Sequence, residues 1–250
     1  MEAKAQAGPW LRRFLDVLLP RTCGTCGRML GGADPHQFCG TCWQRITRIV
    51  PPLCPRCGIP YPAATVVPGE IGHVCGACRE RRLYFQAVRC AGRYEGTLQT
   101  ALQRFKFEER TSLARPLAEL LVETFGLFFQ RPAFDAIIPV PLHRRRLRQR
   151  GYDQAVLLAR QVAALLDLPI WAGAIERVRY TQAQVGLSRQ ARRENVRGAF
   201  RVRRPERLAG ARLLLIDDVV TTSSTVNECA RAAFEAGAER LDVLAVARSM

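Results

Sequence analysis

The chain has 250 residues, 48% of them hydrophobic, and carries 38 basic against 22 acidic side chains for a formal charge of +16. That length supports one full α/β core plus a small appendage, so two domains are expected, and the apolar content is ordinary for a globular protein. No apolar run reaches the roughly 18 residues needed to cross a bilayer, and no signal peptide precedes the first charged residues, which excludes a membrane span and predicts a cytoplasmic protein.

Ten cysteines in a reducing compartment are better explained by metal than by disulfides. Nearly every basic residue is arginine, Lys4 and Lys106 being the only lysines. Arginine favours planar, bidentate phosphate contacts, so a polyanion such as nucleic acid competes as a partner with a proteome-wide arginine habit.

In chain order, residues 1–22 come first. Leu11, Phe14, Leu15 and Leu18 fall at helical spacing among Arg12, Arg13 and Asp16, which predicts an N-terminal amphipathic helix. Packing against its own domain is its commoner fate; membrane or partner binding is the alternative.

Residues 23–80 contain four Cys-x-x-Cys pairs: Cys23/Cys26, Cys39/Cys42, Cys54/Cys57 and Cys75/Cys78. A two-residue gap lets both sulfurs face one metal, so two pairs complete a closed tetrahedral Cys₄ site. Eight thiolates imply two structural Zn²⁺ ions, each site with a net −2, which brings the working charge to about +12. Cys23-Gly-Thr-Cys26-Gly and Cys54-Pro-Arg-Cys57-Gly look like the openings of two ribbons. Cys23, Cys26, Cys39 and Cys42 are therefore expected on one ion, and Cys54, Cys57, Cys75 and Cys78 on the other, although spacing alone leaves a cross-braced pairing open. A closed shell has no free position for catalysis, and the metals substitute for the core that about 60 residues cannot build. His36 and His73 are expected to be bystanders, and the stretch from Gly58 to Gly72 reads as loop.

After the cluster Arg79 to Arg82 the pattern changes, and residues 81–250 are expected to form the α/β domain. Gln86 to Tyr94 predicts an edge strand and Thr97 to Phe107 a helix carrying Arg104 and Lys106. Cys90 and Cys229 belong to no pair and are expected to be buried small hydrophobes. Phe134 to Val140 predicts a second strand, followed by Pro141-Leu142-His143 and then Arg144, Arg145, Arg146, Arg148 and Arg150. Basic residues at a strand's carboxyl end suit pyrophosphate; a solvated basic loop or a nucleic-acid contact is the alternative. Gly151 to Leu166 predicts a helix burying Ala155, Leu158, Ala159, Val162 and Leu166. Between Arg179 and Phe200 periodicity collapses into Thr181, Gln184, Ser188, Arg189, Arg192, Arg193, Asn195 and Arg197, which predicts a lid or binding loop.

Leu213 to Ile216, then Asp217 and Asp218, read as a buried parallel strand delivering two acids to the ligand edge of an open α/β sheet. Thr221, Thr222, Ser223, Ser224 and Thr225 follow, just before a helix with the stripe Val226, Cys229, Ala230, Ala233 and Phe234. Hydroxyls and backbone N–H groups at a helix N-terminus can cradle phosphate. A Ser/Thr-capped helix on a buried strand is the plain alternative. Arg240 to Ala247 predicts a last strand.

The acids and hydroxyl turn resemble the signature of type I phosphoribosyltransferases. With the paired ribbons, Lys106 in Arg-Phe-Lys-Phe, the Pro-Val-Pro-Leu-His stretch, Arg150-Gly151-Tyr152-Asp153-Gln154 and the segment from Thr181 to Phe200, nearly the whole chain resembles the competence-associated ComF family. The resemblance implies a phosphoribosyltransferase-like α/β domain, with a parallel sheet flanked by helices, behind a double zinc ribbon. It implies phosphoribosyl pyrophosphate with Mg²⁺ as ligand and a role in natural transformation or DNA use. Asp217 and Asp218 would then hold ribose and metal, Thr221 to Thr225 the 5-phosphate, and Lys106 with Arg144 or Arg146 the pyrophosphate, while Arg192 excludes water. Single-stranded DNA and DNA-processing proteins are the other candidate partners, with a homodimer left open. Departures from the family pattern include Asp153 for Asn, Thr-Gln-Ala-Gln at Thr181 to Gln184 where Thr-Pro-Pro-Gln is common, and Ser223 for Gly. If position 223 takes positive φ, serine costs roughly 1 kcal/mol relative to glycine.

Overall fold

Leu213 to Ile216 are fully buried, and a strand can bury successive residues only when both of its faces are covered. The computed structural model describes residues 21–31, 37–62, 72–129, 134–181 and 189–250. The expected N-terminal helix, His36, most of the Gly58 to Gly72 loop, and Gln184 and Ser188 lie outside the described residues.

In chain order the elements are α1 (Gly40–Gln44), α2 (Gly76–Arg79), β1 (Val88–Arg93), α3 (Gly96–Phe107), α4 (Ala114–Phe128), β2 (Ala136–Pro139), α5 (Arg144–Arg150), α6 (Gln154–Leu166), β3 (Ile175–Arg177), α7 (Arg189–Val196), β4 (Phe200–Val202), α8 (Pro205–Leu208), β5 (Arg212–Val220), α9 (Ser224–Glu235) and β6 (Arg240–Arg248). The main sheet has the order β1-β6-β5-β2, all parallel, with β1 at an edge as expected. Leu214 and Ile216 pack with α3, α4 and α6 on one face, while Leu213 and Leu215 pack with α9 and the β3-β4 hairpin on the other. This is the expected α/β architecture, and Cys90 and Cys229 are buried in its core.

Several elements differ from the sequence expectations. Residues 114–128 form α4, which no expectation covers, and Leu117, Leu120, Leu121 and Thr124 bury one of its faces at helical spacing. The arginine run after β2 is the helix α5, not a loop: His143 Nδ1 accepts the Arg145 N–H at 3.2 Å, and Gly151 closes it at φ 79°. In the polar stretch before Phe200, residues 189–196 form α7, where Val196 is the one buried side chain among those described, too little to show as periodicity. Phe234, expected in the buried stripe of α9, is 52% exposed and lies against Tyr84.

Packing runs across residue 80. Phe38 and Ile46 share a core with Leu98, Leu102 and Phe105 of α3. Residues 47–49 extend the sheet edge, Arg93 donating its N–H to Thr47 at 2.9 Å and Ile49 donating to Ala91 at 3.1 Å.

Candidate functional site

Strand β5 continues two residues beyond the acids, so Asp217 and Asp218 lie within it and not at its tip. Pairing with β6 holds this extension, Asp217 opposite Ala245 and Val220 opposite Arg248. Because alternate strand residues face opposite sides, Asp217 goes with Leu213 and Leu215 while Asp218 goes with Leu214 and Ile216, on the side of α3. There the Lys106 ammonium meets Asp218 Oδ2 at 2.8 Å.

The end of α3 is braced by residues 150–154. The Tyr152 hydroxyl donates to the carbonyl of Phe105, beside Lys106, and Arg150 donates to the buried Gln154. Asp153 caps α6, one carboxylate oxygen accepting from Val156 N–H at 3.2 Å and the other from Leu142 N–H at 3.1 Å. The two donors meet different oxygens, and an amide in the same pose would turn its NH₂, a donor, towards one of them. That is the physical reason aspartate suits a position where the family pattern has asparagine.

Burial pushes the Asp217 carboxyl up to about 8, and the Asp218 charge adds to this while Lys106 opposes it. Asp217 keeps partial exposure along the cleft wall, so the carboxyl is poised near neutrality and not locked in its protonated form. A carboxyl pair short of positive charge, made of hard oxygen donors, fits a divalent cation such as Mg²⁺.

The turn after β5 takes the conformation that a glycine would favour. Ser223 sits at φ 61°, ψ 13°, at the N-cap of α9 without making a side-chain cap bond. Its hydroxyl is buried with no hydrogen-bond partner among the described residues, while Thr222 Oγ1 and Ser224 Oγ are 2.8 Å apart. The serine hydroxyl aims nowhere useful within the protein itself.

A cleft of about 940 Å³ brings together Lys106, Arg146, Arg192, Asp217, Thr221, Ser223, Ser224 and Thr225. Asp218 opens instead into an adjoining recess of about 210 Å³, shared with Lys106, Arg146, Asp217 and Thr225. Two expected residues stand apart: Arg144 is exposed and lines neither space, and Thr222 faces a separate hollow towards the second ribbon.

The sequence reading did not select Arg177 and Tyr180. Arg177 joins Asp217 in the recess, donates to the buried Thr181 hydroxyl and lies over Phe200 at 5.4 Å. Tyr180 lines the cleft with Arg145 over its ring at 4.9 Å and His143 edge-on at 5.3 Å. Strand β3, which ends at Arg177, is only three residues long and Tyr180 lies beyond it, so neither leaves a periodic signal.

The cysteines assemble as two groups, Cys23, Cys26, Cys39 and Cys42, and Cys54, Cys57, Cys75 and Cys78, with the sulfurs in each within 4.8 Å of one another. Cys26 to Cys39 and Cys57 to Cys75 are 3.7 Å apart, close to the roughly 3.8 Å edge of a tetrahedron with ~2.3 Å Zn–S bonds. Backbone N–H groups support the thiolates, Cys39 donating to Cys23 Sγ at 3.3 Å and Cys75 to Cys54 Sγ at 3.4 Å. The pairing is sequential, the cross-braced alternative falls, and both groups are compatible with structural zinc.

A double zinc ribbon packed on a parallel α/β sheet, with paired acids and a hydroxyl turn towards the sheet's carboxyl edge, defines a class of ribbon-fused α/β proteins. Residues 14–79 match the double zinc ribbon domain family. The chain is 34% identical over 220 residues to competence protein F of Haemophilus influenzae, covering 86% of this chain and 91% of that one. It is 32% identical over 241 residues to DNA utilization protein YhgH of Escherichia coli K12, covering 94% and 100%. The chain belongs to this family of competence and DNA utilization proteins, which also takes in competence protein ComFC of Bacillus subtilis at 25% identity, covering 81% of this chain and 80% of that one. Among solved structures, the glutamine phosphoribosylpyrophosphate amidotransferase of Bacillus subtilis matches at a TM-score of 0.35 and 18% identity, covering 52% of this chain and 25% of that one. Among the described residues, no helix is long and apolar enough to cross a membrane.

Proposed function

We propose that the cleft binds phosphoribosyl pyrophosphate with Mg²⁺ and that residues 81–250 form a phosphoribosyltransferase-like unit serving the use of imported DNA. The observation that carries this reading is the convergence of Asp217, Lys106 and the left-handed hydroxyl turn on one cleft. In it, Asp217 and Asp218 orient the ribose hydroxyls. Thr221, Ser223, Ser224 and Thr225 receive the 5-phosphate, aided by the N-terminus of α9. Lys106 and Arg146 neutralise the pyrophosphate, with Arg150 and Arg177 adding positive charge from the recess. Mg²⁺, when bound, would neutralise charge on the leaving group. Arg192, on α7 at the cleft wall, excludes water from the reacting carbon.

Transfer would form a bond from an acceptor nucleophile to the anomeric carbon and break the bond to pyrophosphate, which departs with the electron pair. The acceptor proton needs a base, and none stands out beyond the carboxyl of Asp217, raised towards neutrality. That supports a second reading, a non-catalytic protein that keeps the sugar-phosphate pocket and holds single-stranded DNA through its excess positive charge. The names of the relatives, competence and DNA utilization proteins, suit either reading.

Turnover separates the two. Pyrophosphate release from phosphoribosyl pyrophosphate with any member of a nucleobase panel supports the transferase. Salt-sensitive retention of single-stranded DNA with no release supports the binding protein. Neither result would refute both.

A further inference from the structure

The second Cys₄ group and the hydroxyl turn are joined by two arginines that the chemistry above does not use. Arg81, three residues after Cys78, donates from Nη1 to the carbonyl of Thr222 at 3.0 Å. Arg248 ends β6 opposite Val220, is 5% exposed, and donates from Nη1 to the carbonyl of Cys57 at 2.7 Å. The next residue, Ser249, donates its N–H to Val220 at 3.0 Å, so the start of the turn is tied to the same β6 terminus. Between these contacts lies the hollow of about 280 Å³ into which Thr222 faces, lined also by Cys57, Cys75, Arg81 and Arg248.

Neither guanidinium has a carboxylate partner among the described residues, and the Nε of each is buried without a hydrogen bond. Burying unpaired positive charge is expensive. The counter-charge at hand is the second cysteine group, which as a zinc tetrathiolate would carry a net −2 beside Arg248. The first cysteine group is tied elsewhere: it packs in the core behind α3, where Arg104 donates to the Gly24 carbonyl at 3.3 Å. The two metal groups thus support different parts of the cleft, the first the helix bearing Lys106 and the second the hydroxyl turn.

We infer that Arg81 and Arg248 are positioning residues that make the geometry of the hydroxyl turn depend on a metal-loaded second cysteine group. Phosphate binding in the turn and zinc binding by Cys54, Cys57, Cys75 and Cys78 are then cooperative. This rests on the reading of the turn as a phosphate cradle. Coupling between two ligands is reciprocal, so each must tighten the other by the same factor. Zinc held by the first group lies outside this coupling.

The test uses the full chain loaded with two zinc ions, wild type and the Arg81→Ala, Arg81→Lys and Arg248→Met variants. Ribose 5-phosphate, and phosphoribosyl pyrophosphate with Mg²⁺, are titrated by calorimetry, and zinc release to a chromogenic chelator is followed with and without each probe. The expected result is that either probe slows release of one zinc of the two. Arg81→Ala keeps both ions in the absence of probe, binds ribose 5-phosphate roughly ten-fold more weakly, and loses the protection, with partial rescue by Arg81→Lys. If Arg248→Met fails to fold, Arg81, whose side chain reaches solvent, carries the test alone. Wild-type affinity and protection in Arg81→Ala, or equal protection of both zincs in the wild type, would overturn the inference alone. A wild-type chain that binds neither probe would overturn the cradle reading and this inference together.

Discussion

Replacing Ser223 by glycine should stabilise the protein. Serine is held there at φ 61°, where a side chain costs about 1–2 kcal/mol, and its buried hydroxyl lacks a partner, a further penalty of about 1 kcal/mol or more. It makes no cap bond that the substitution would remove. Against this, glycine enlarges the unfolded ensemble by about 0.4–1 kcal/mol. The net gain is about 1–2 kcal/mol, and each 1 kcal/mol moves Tm by about 2–4 °C for a chain of this size. Urea unfolding of the zinc-saturated protein measures it, with Ser223→Ala as the control that removes the hydroxyl and keeps the strained backbone. A Ser223→Gly midpoint at or below that of Ser223→Ala would refute the strain argument.

Three further outcomes are expected. The Asp217 pKa is raised from the ordinary carboxylate range to about 8, so the native state holds a proton that the unfolded chain has lost, and stability falls as pH rises through that window. Denaturant melts across the window should show Asp217→Asn gaining on the wild type as pH rises; a parallel pair of pH profiles would contradict the shift. Lys106→Met should destabilise by roughly 2–3 kcal/mol, less than for a fully buried pair, because the side chains of Lys106 and Asp218 are 18% and 12% exposed. A double-mutant cycle with Asp218→Asn should recover most of that loss; simple additivity would deny the coupling. Asp153→Asn, set against two N–H donors, should lower stability by about 1 kcal/mol, and unchanged thermal melting would show that the cap is not held as described.

What could be read from the chain follows from how local each signal is. Four Cys-x-x-Cys pairs constrain their own geometry through a metal's tetrahedral shell, so the eight ligands were legible before any coordinates, while which pairs share an ion depends on the fold. Leu213 to Asp218 announced a strand with acids near the ligand edge because four apolar residues in a row tolerate few other settings. Spacing could not show that β5 runs two residues past the acids, since that depends on pairing with Ala247 and Arg248 across the sheet. Lys106 was chosen on resemblance, and its contact with Asp218 depends on a brace from Tyr152, 46 positions away in the chain. Arg177 and Tyr180 leave no signal because the strand that ends at Arg177 is three residues long and Tyr180 lies outside regular structure. Arg144 and Arg146 stand as equal candidates in the basic run, because spacing alone does not say which of them faces the cleft. On the helix that the run forms, Arg144 points to solvent while Arg146 and Arg150 turn inward.

The most direct measurement of the central claim is calorimetric titration of the zinc-loaded chain with phosphoribosyl pyrophosphate in the presence and absence of Mg²⁺. The account predicts saturable heat at one site per chain below millimolar ligand, strengthened by Mg²⁺ and lost in Asp217→Ala. No heat at millimolar ligand, or binding that Asp217→Ala leaves intact, would contradict it.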